Sequence, residues 1–205
     1  MLAVIGLGYV GITSLLCFKS LGTNVIGFDN DNAVLEKLND GELIIADSRL
    51  QTALKTYHKE INFTKEINDI RDAEEALICV PTNGKNNELD LTIVTSVLET
   101  LSGSKIRNVW IRSTIDKPGV FDTFSKYSFN IFSYPEFLRE GKCWDDFFNP
   151  PLIVLGFKPE TDSIVYRTLI KAFENVHIAS PKEALTIKLF CNAFHALKVA
   201  FANEV

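Results

Sequence analysis

The sequence predicts an α/β fold, a doubly wound parallel sheet followed by one long C-terminal helix, and three observations predict it. Short runs such as residues 2–5, 76–80 and 152–155 are apolar at every position, as strands buried on both faces are and half-exposed strands are not. Stretches of helical periodicity alternate with these runs, which calls for repeated β-α-β crossovers. The first run passes through a glycine turn, Gly6-Leu-Gly8-Tyr-Val-Gly11, into a helix and then into a second run that ends on Asp29.

That opening unit is Rossmann-like. Gly6 and Gly8 let the backbone turn and approach a bulky anion, and Gly11 lets the next helix pack close to the strand. The helix begins with its amide groups aimed at the turn, so its positive end suits a pyrophosphate. Asp29 falls where a carboxylate can accept hydrogen bonds from a ribose diol, and no Arg stands beside it to pair with a 2′-phosphate. The expected cofactor is NAD rather than NADP.

The remaining elements follow in order. A helix over 33–38 ends at Asn39-Asp40-Gly41, the stretch 42–50 is irregular, and a short helix spans 50–57. Strands are expected at 61–64 and 76–80, then a turn-rich loop over 84–87 and a helix over 91–101. A strand at 109–111 leads to Pro118-Gly119 and a helix over 120–126, and strands at 129–132 and 152–155 come next. A helix over 160–173 and a strand at 176–178 complete the alternation. The final helix, 181–205, is started by Ser180 as N-cap, Pro181 in the first turn and Glu183 at N3.

The chain has 205 residues, 46% hydrophobic and 23% charged, with a net charge of −5. Without a Lys/Arg cluster, this balance gives no reason to expect nucleic acid or an anionic membrane as partner. No signal peptide and no membrane-spanning run is read in the sequence, so the expected location is the cytosol. Cys17, Cys79, Cys143 and Cys191 are scattered, with no C-x-x-C pair and no His at ligand spacing, so neither a metal site nor a disulfide framework is expected. Cys17, Cys79 and Cys191 read as small core hydrophobes.

Two polar features stand out. The last helix is apolar on nearly every side, yet Lys188 and Asn192 lie one turn apart on one face, with His195 next along it. A cation on a helix that needs burial points to a site or a buried ion pair. The second feature is the set of polar clusters at strand ends, Pro81-Thr82-Asn83, Ser113-Thr114 and Ser133-Tyr-Pro-Glu136-Phe-Leu-Arg139-Glu140-Gly141. Ligands in open α/β sheets bind at such ends. Glu136 and Glu140, set among apolar residues, are candidate acid-base groups, unless Glu140 simply pairs with Arg139 or Lys142 at the surface.

Taken together and in this order, the glycine turn, Val80-Pro-Thr82, Ser113-Thr114 with Pro118-Gly119, Pro135-Glu-Phe-Leu-Arg-Glu-Gly141 and the run from Glu183 through Lys188-Leu-Phe-Cys-Asn192 to Asn203-Glu204 resemble the UDP-glucose/GDP-mannose dehydrogenase family. The resemblance implies a nucleotide-sugar 6-dehydrogenase that oxidises a C6 alcohol to a carboxylate with two NAD, UDP-glucose being the expected substrate. It implies that Gly6, Gly8, Tyr9, Val10, Gly11, Asp29, Thr82, Thr114 and Glu140 hold or border the cofactor. Thr114 and Glu140 would also position the hydrolytic water, and Lys188 and Asn192 would stabilise the developing oxyanion. Glu136, Phe137, Leu138 and Arg139, with Lys188 and Asn192, would line the sugar site.

The sequence also departs from the family pattern. Family chemistry proceeds through a thioester on a cysteine in a glycine-rich loop, and none of the four cysteines has that setting. Val34 and Leu152 stand where the family usually has basic residues, and the segment from Ser113 to Gly119 is one residue longer than in the family pattern. The expectation is an N-terminal half, with residues 1–179 as the NAD-binding domain and 180–205 as the start of a central helix whose apolar flanks form a homodimer contact. Two other readings stay open: a 3-hydroxyacid dehydrogenase of the 6-phosphogluconate type, which also has a Lys and, one turn on, an Asn on such a helix, and a non-catalytic NAD-binding module.

Overall fold

Eight short strands carry the fold, each within two residues of its apolar run. In the computed structural model, which describes residues 1–84 and 88–204, they are β1 (Leu2–Ile5), β2 (Val25–Phe28), β3 (Asn62–Thr64), β4 (Glu75–Ile78), β5 (Asn108–Ile111), β6 (Asn130–Ser133), β7 (Ile153–Gly156) and β8 (Val176–Ala179). They form one sheet in the order β3-β2-β1-β4-β5-β6-β7-β8. The order reverses between β1 and β4, which creates the crevice where this class of sheet binds ligands. One joint departs from the expected all-parallel sheet. β7 runs antiparallel to β6, meeting it at Ser133 and Gly156, because the chain between them does not cross back to the edge where β6 began. β8 is then parallel to β7.

The helices are α1 (Tyr9–Ser20), α2 (Asn32–Asn39), α3 (Ser48–Tyr57), α4 (Ile67–Ile70), α5 (Thr92–Leu101), α6 (Cys143–Phe148), α7 (Ile164–Ala172) and α8 (Pro181–Glu204). Alternate strand residues face opposite layers. Leu2 and Val4 pack with α1, α3 and α7, whereas Ala3 and Ile5 pack with α5 and the start of α8. Residues 118–126, expected as an α-helix, form 3-10 turns. Thr123 and Ser125 each donate their hydroxyl to the carbonyl three residues back, which tightens the turn. The short helices α4 and α6 fall in stretches too brief for periodicity to reveal. The loop expected at 84–87 lies outside the described residues beyond Gly84, as does Val205.

The predicted start of α8 is present as a capping box. The Ser180 amide donates to Glu183 Oε2 at 2.9 Å, and the Glu183 amide donates to Ser180 Oγ at 3.3 Å. Gly156 lets this helix sit on the sheet, since a Cβ there would lie 2.5 Å from Pro181 Cα. Past its first turns α8 leaves the domain: Phe190, Phe194, Leu197, Val199 and Phe201 are 59–71% exposed. The sequence reading of no membrane-spanning run is corrected here, because α8, at 24 residues, is long and apolar enough by length and composition alone to cross a bilayer. Its N-terminal part is nonetheless committed to the domain through buried Ala184, Leu185 and Lys188.

Candidate active site

The glycine turn forms a cradle for which only glycine fits at two positions. Gly6 has φ +87°, and a Cβ on it would press on the Cys79 carbonyl oxygen at 2.9 Å. A Cβ on Gly11 would fall 1.7 Å from the Gly6 oxygen, so α1 could not start where it does. At Gly8 the reverse holds: a Cβ would meet nothing within 4 Å, leaving open space above the first amides of α1. Those amides have no acceptor within the helix. Asp29 is locked beside them, with Oδ2 accepting from the Leu7 amide at 2.7 Å and Oδ1 from the Asp31 amide at 3.0 Å. Each oxygen keeps a lone pair for a ribose hydroxyl. The residues present therefore fit a dinucleotide.

From this cradle a cleft of about 930 Å³ runs across the carboxyl ends of β1, β4 and β5. On the β2 side it is walled by Asp29, Asp31, Val34, Ile67, Ile93 and Val97, with no cation at that end among the described residues. On the other side it reaches Cys79, Thr82, Arg112, Ser113, Thr114 and Glu136. Two reciprocal hydroxyl bonds clamp the strand ends there. Thr82 Oγ1 donates to the Thr114 carbonyl at 2.6 Å, and Ser113 Oγ donates to the Val80 carbonyl at 2.6 Å. Thr82 thus spends its proton on the scaffold, and Thr114 is positioned through its backbone.

Lys188 and Glu136, 52 positions apart in the chain, form a buried ion pair with Nζ to Oε1 at 2.8 Å, both side chains 8% exposed. The other Glu136 oxygen accepts from the Leu138 amide at 2.7 Å, and Lys188 Nζ lies 5.1 Å from the centre of the Phe137 ring. Tyr9 lines the same cleft, and burial, then the Glu136 charge, push its hydroxyl pKa up. Burial likewise pushes the Cys79 thiol up to about 12, so the cleft's cysteine is a thiol at neutral pH and a poor nucleophile.

Several expected site residues are not brought here. Glu140 is exposed and does not line the cleft. Its neighbour Arg139 is drawn away by Asp146, which accepts from Nη2 at 2.6 Å, from Nε at 3.0 Å and from the Arg139 amide at 2.8 Å. Arg139 therefore serves the scaffold, and the surface pairing considered for Glu140 with Arg139 does not form. Asn192 is exposed because α8 leaves the sheet just beyond Lys188, and His195 is exposed with it. Phe137 and Leu138 are half-buried beside the ion pair. Sequence reasoning overlooked Arg112, a buried cation in the cleft wall. Its signal was a charge directly ending the apolar run 109–111.

Comparison with known proteins agrees with this geometry. Residues 1–174 match the model of the UDP-glucose/GDP-mannose dehydrogenase family, NAD binding domain. The chain is 35% identical to UDP-glucose 6-dehydrogenase of Rickettsia typhi over 98% of its own length and 50% of that protein. In structure it is similar to GDP-mannose dehydrogenase of Pseudomonas aeruginosa, solved as a ternary complex, with a TM-score of 0.89 and 28% identity over 100% of this chain and 52% of the other. It is similar also to a UDP-glucose dehydrogenase of Pyrobaculum islandicum, with a TM-score of 0.88 and 30% identity over 99% of this chain and 51% of the other. The chain spans about half the length of each of these relatives.

Proposed function

Since the chain belongs to the UDP-glucose/GDP-mannose dehydrogenase family and supplies its NAD-binding domain, we propose that it is the cofactor half of a nucleotide-sugar 6-dehydrogenase, with UDP-glucose as substrate. One observation carries the reading: the glycine cradle and Asp29 open into the same cleft that ends at Glu136, and Glu136 is bonded to Lys188. A dinucleotide seat and a buried Glu–Lys pair thus meet at one cleft.

In this reading Gly6, Gly8, Tyr9, Val10 and Gly11 hold the pyrophosphate, Asp29 holds the ribose, and Thr82 and Thr114 border the nicotinamide end. Bound NAD would accept a hydride from the substrate carbon. Lys188, held against Glu136, would stabilise the negative charge on the substrate oxygen as the carbon–hydrogen bond breaks. Glu136 holds that ammonium in place and would take the substrate hydroxyl proton, so that the hydride and the proton lost as the carbonyl forms are both accounted for. It also fills the water-positioning role expected of Glu140, because it lines the cleft. Phe137 and Leu138 flank the sugar. Thioester chemistry is not assigned to these residues, because the thiol of Cys79 is held protonated.

Residues 1–179 are proposed to act as the cofactor domain and 180–205 as a helix that pairs with a second copy through its apolar exposed face. The proposed location is cytoplasmic. Calorimetric titration tests the reading. The chain should bind NAD in preference to NADP, and UDP-glucose should not produce NADH from this chain alone. Turnover of a simple 3-hydroxyacid without response to nucleotide sugars, or no binding of NAD, would sink it.

A further inference from the structure

Arg112 follows directly on β5, is 3% exposed and lines the cleft. It makes no ion pair among the described residues. The guanidinium lies 4.0 Å over the Tyr134 ring, Nη1 donates one long bond of 3.5 Å to the Tyr134 carbonyl, and Nε has no partner. A buried guanidinium without a carboxylate is costly, and one marginal hydrogen bond does not offset that cost. Its charge reaches the site: the same cation draws down the pKa values of Cys79, Tyr9 and Tyr134 against the upward pull of burial. Glu136 in the same cleft wall is already paired with Lys188, so among the described residues Arg112 is a cation in this wall without an ion-pair partner.

With the ribose on Asp29 and the pyrophosphate on α1, the nicotinamide half of a dinucleotide lies toward the ends of β4 and β5 in this fold. We propose that Arg112 biases the redox state of the bound cofactor: its buried positive charge, without an ion-pair partner, disfavours the cationic ring of NAD+ and favours the neutral ring of NADH. The site then holds the reduced form more tightly and eases hydride acceptance. A hydride brings two electrons and one proton to the ring and cancels the ring's positive charge, and no protein group changes charge. This inference rests on the NAD reading above. A unit charge acting across several ångströms of protein is worth on the order of tenfold in affinity.

Titration of the chain with NAD+, NADH and ADP-ribose, which lacks the nicotinamide ring, tests the proposal. The wild-type chain should bind NADH more tightly than NAD+. Arg112→Gln should lower the ratio of the two dissociation constants by about tenfold and leave ADP-ribose binding within about twofold, and Arg112→Lys should keep the wild-type ratio. A wild-type preference for NAD+, or an Arg112→Gln protein whose three affinities fall together at an unchanged ratio, overturns the proposal and leaves Arg112 as a packing residue. If Arg112→Gln does not fold, the wild-type and Arg112→Lys ratios decide. Failure of all three ligands to bind would sink the nucleotide reading itself and this inference with it.

Discussion

Glu75 and Glu136 are both buried carboxylates, 2% and 7% exposed, at opposite ends of the sheet. Glu75, at the start of β4, accepts from Asn108 Nδ2, Trp110 Nε1, Ser163 Oγ and the amides of Ile164 and Val165. All five donors are neutral and held by the scaffold, and together they tie two strands to the positive end of α7. Glu136 accepts from one amide and from one cation, Lys188, and it opens on the cleft. A carboxylate satisfied by fixed neutral donors does the work of a cross-link. One satisfied by another titratable group keeps a proton-transfer partner at hand.

The contrast breaks most visibly if Glu75 is removed. Glu75→Ala leaves a cluster of buried donors without an acceptor and should cost about 4 kcal/mol, lowering the thermal midpoint by about 10 °C. NAD affinity per folded molecule should stay within about twofold, and calorimetry after correction for the unfolded fraction checks this. A large loss of affinity would show that the two ends of the sheet are coupled.

Glu136→Gln should cost somewhat less, about 3 kcal/mol, because it leaves Lys188 buried without a counter-charge. Here a second change should repair the first. Adding Lys188→Met to Glu136→Gln should recover most of the stability, giving a coupling of about 2 kcal/mol in a denaturation cycle. No single change can repair Glu75→Ala, since two of its donors are backbone amides. Additivity of Glu136→Gln and Lys188→Met would mean that the pair is not the unit it appears in the geometry.

Asp146 is an intermediate case, a buried carboxylate paired with an Arg139 side chain that is 70% exposed. Hydrogen bonds from Arg139 hold its carboxyl below the usual carboxylate range. A depressed folded pKa gives stability that is present above the unfolded value, near 3.9, and is lost as pH falls through the folded one. Asp146→Asn should therefore lower the thermal midpoint by only about 2 °C at pH 6, with the difference vanishing near pH 2. An equal difference at both pH values would show that the contribution is packing rather than charge.

These three acids also mark how far the sequence could be read. The strands were legible because both faces are buried and their apolar runs are unbroken, and Ser180, Pro181 and Glu183 announced α8 because capping is local. Lys188 and Glu136 could each be singled out as charges in apolar surroundings, but their pairing spans 52 positions and leaves no local trace. Glu75 gave no signal at all. It follows exposed Glu74, and its partners lie 33 to 90 positions away. Glu140 and Asn192 were assigned to the site by the family resemblance, whereas both side chains are exposed here, next to the Arg139–Asp146 pair and beyond the point where α8 leaves the sheet.

β4 joins the two regions, since the strand that begins with Glu75 runs directly into Cys79 on the floor of the cleft. Burial holds the Cys79 thiol up at about 12, so it stays protonated at pH 8. Iodoacetamide at that pH should leave Cys79 unmodified in the folded chain and label it fully in denaturant, as read by peptide mass mapping. Cys79→Ala should change NAD affinity by no more than about threefold, since the residue contributes its carbonyl, not its sulfur, to the seat of Gly6. Fast alkylation of Cys79 in the native state would instead mean that the charge of Arg112 outweighs burial, and the cleft would then contain a nucleophile.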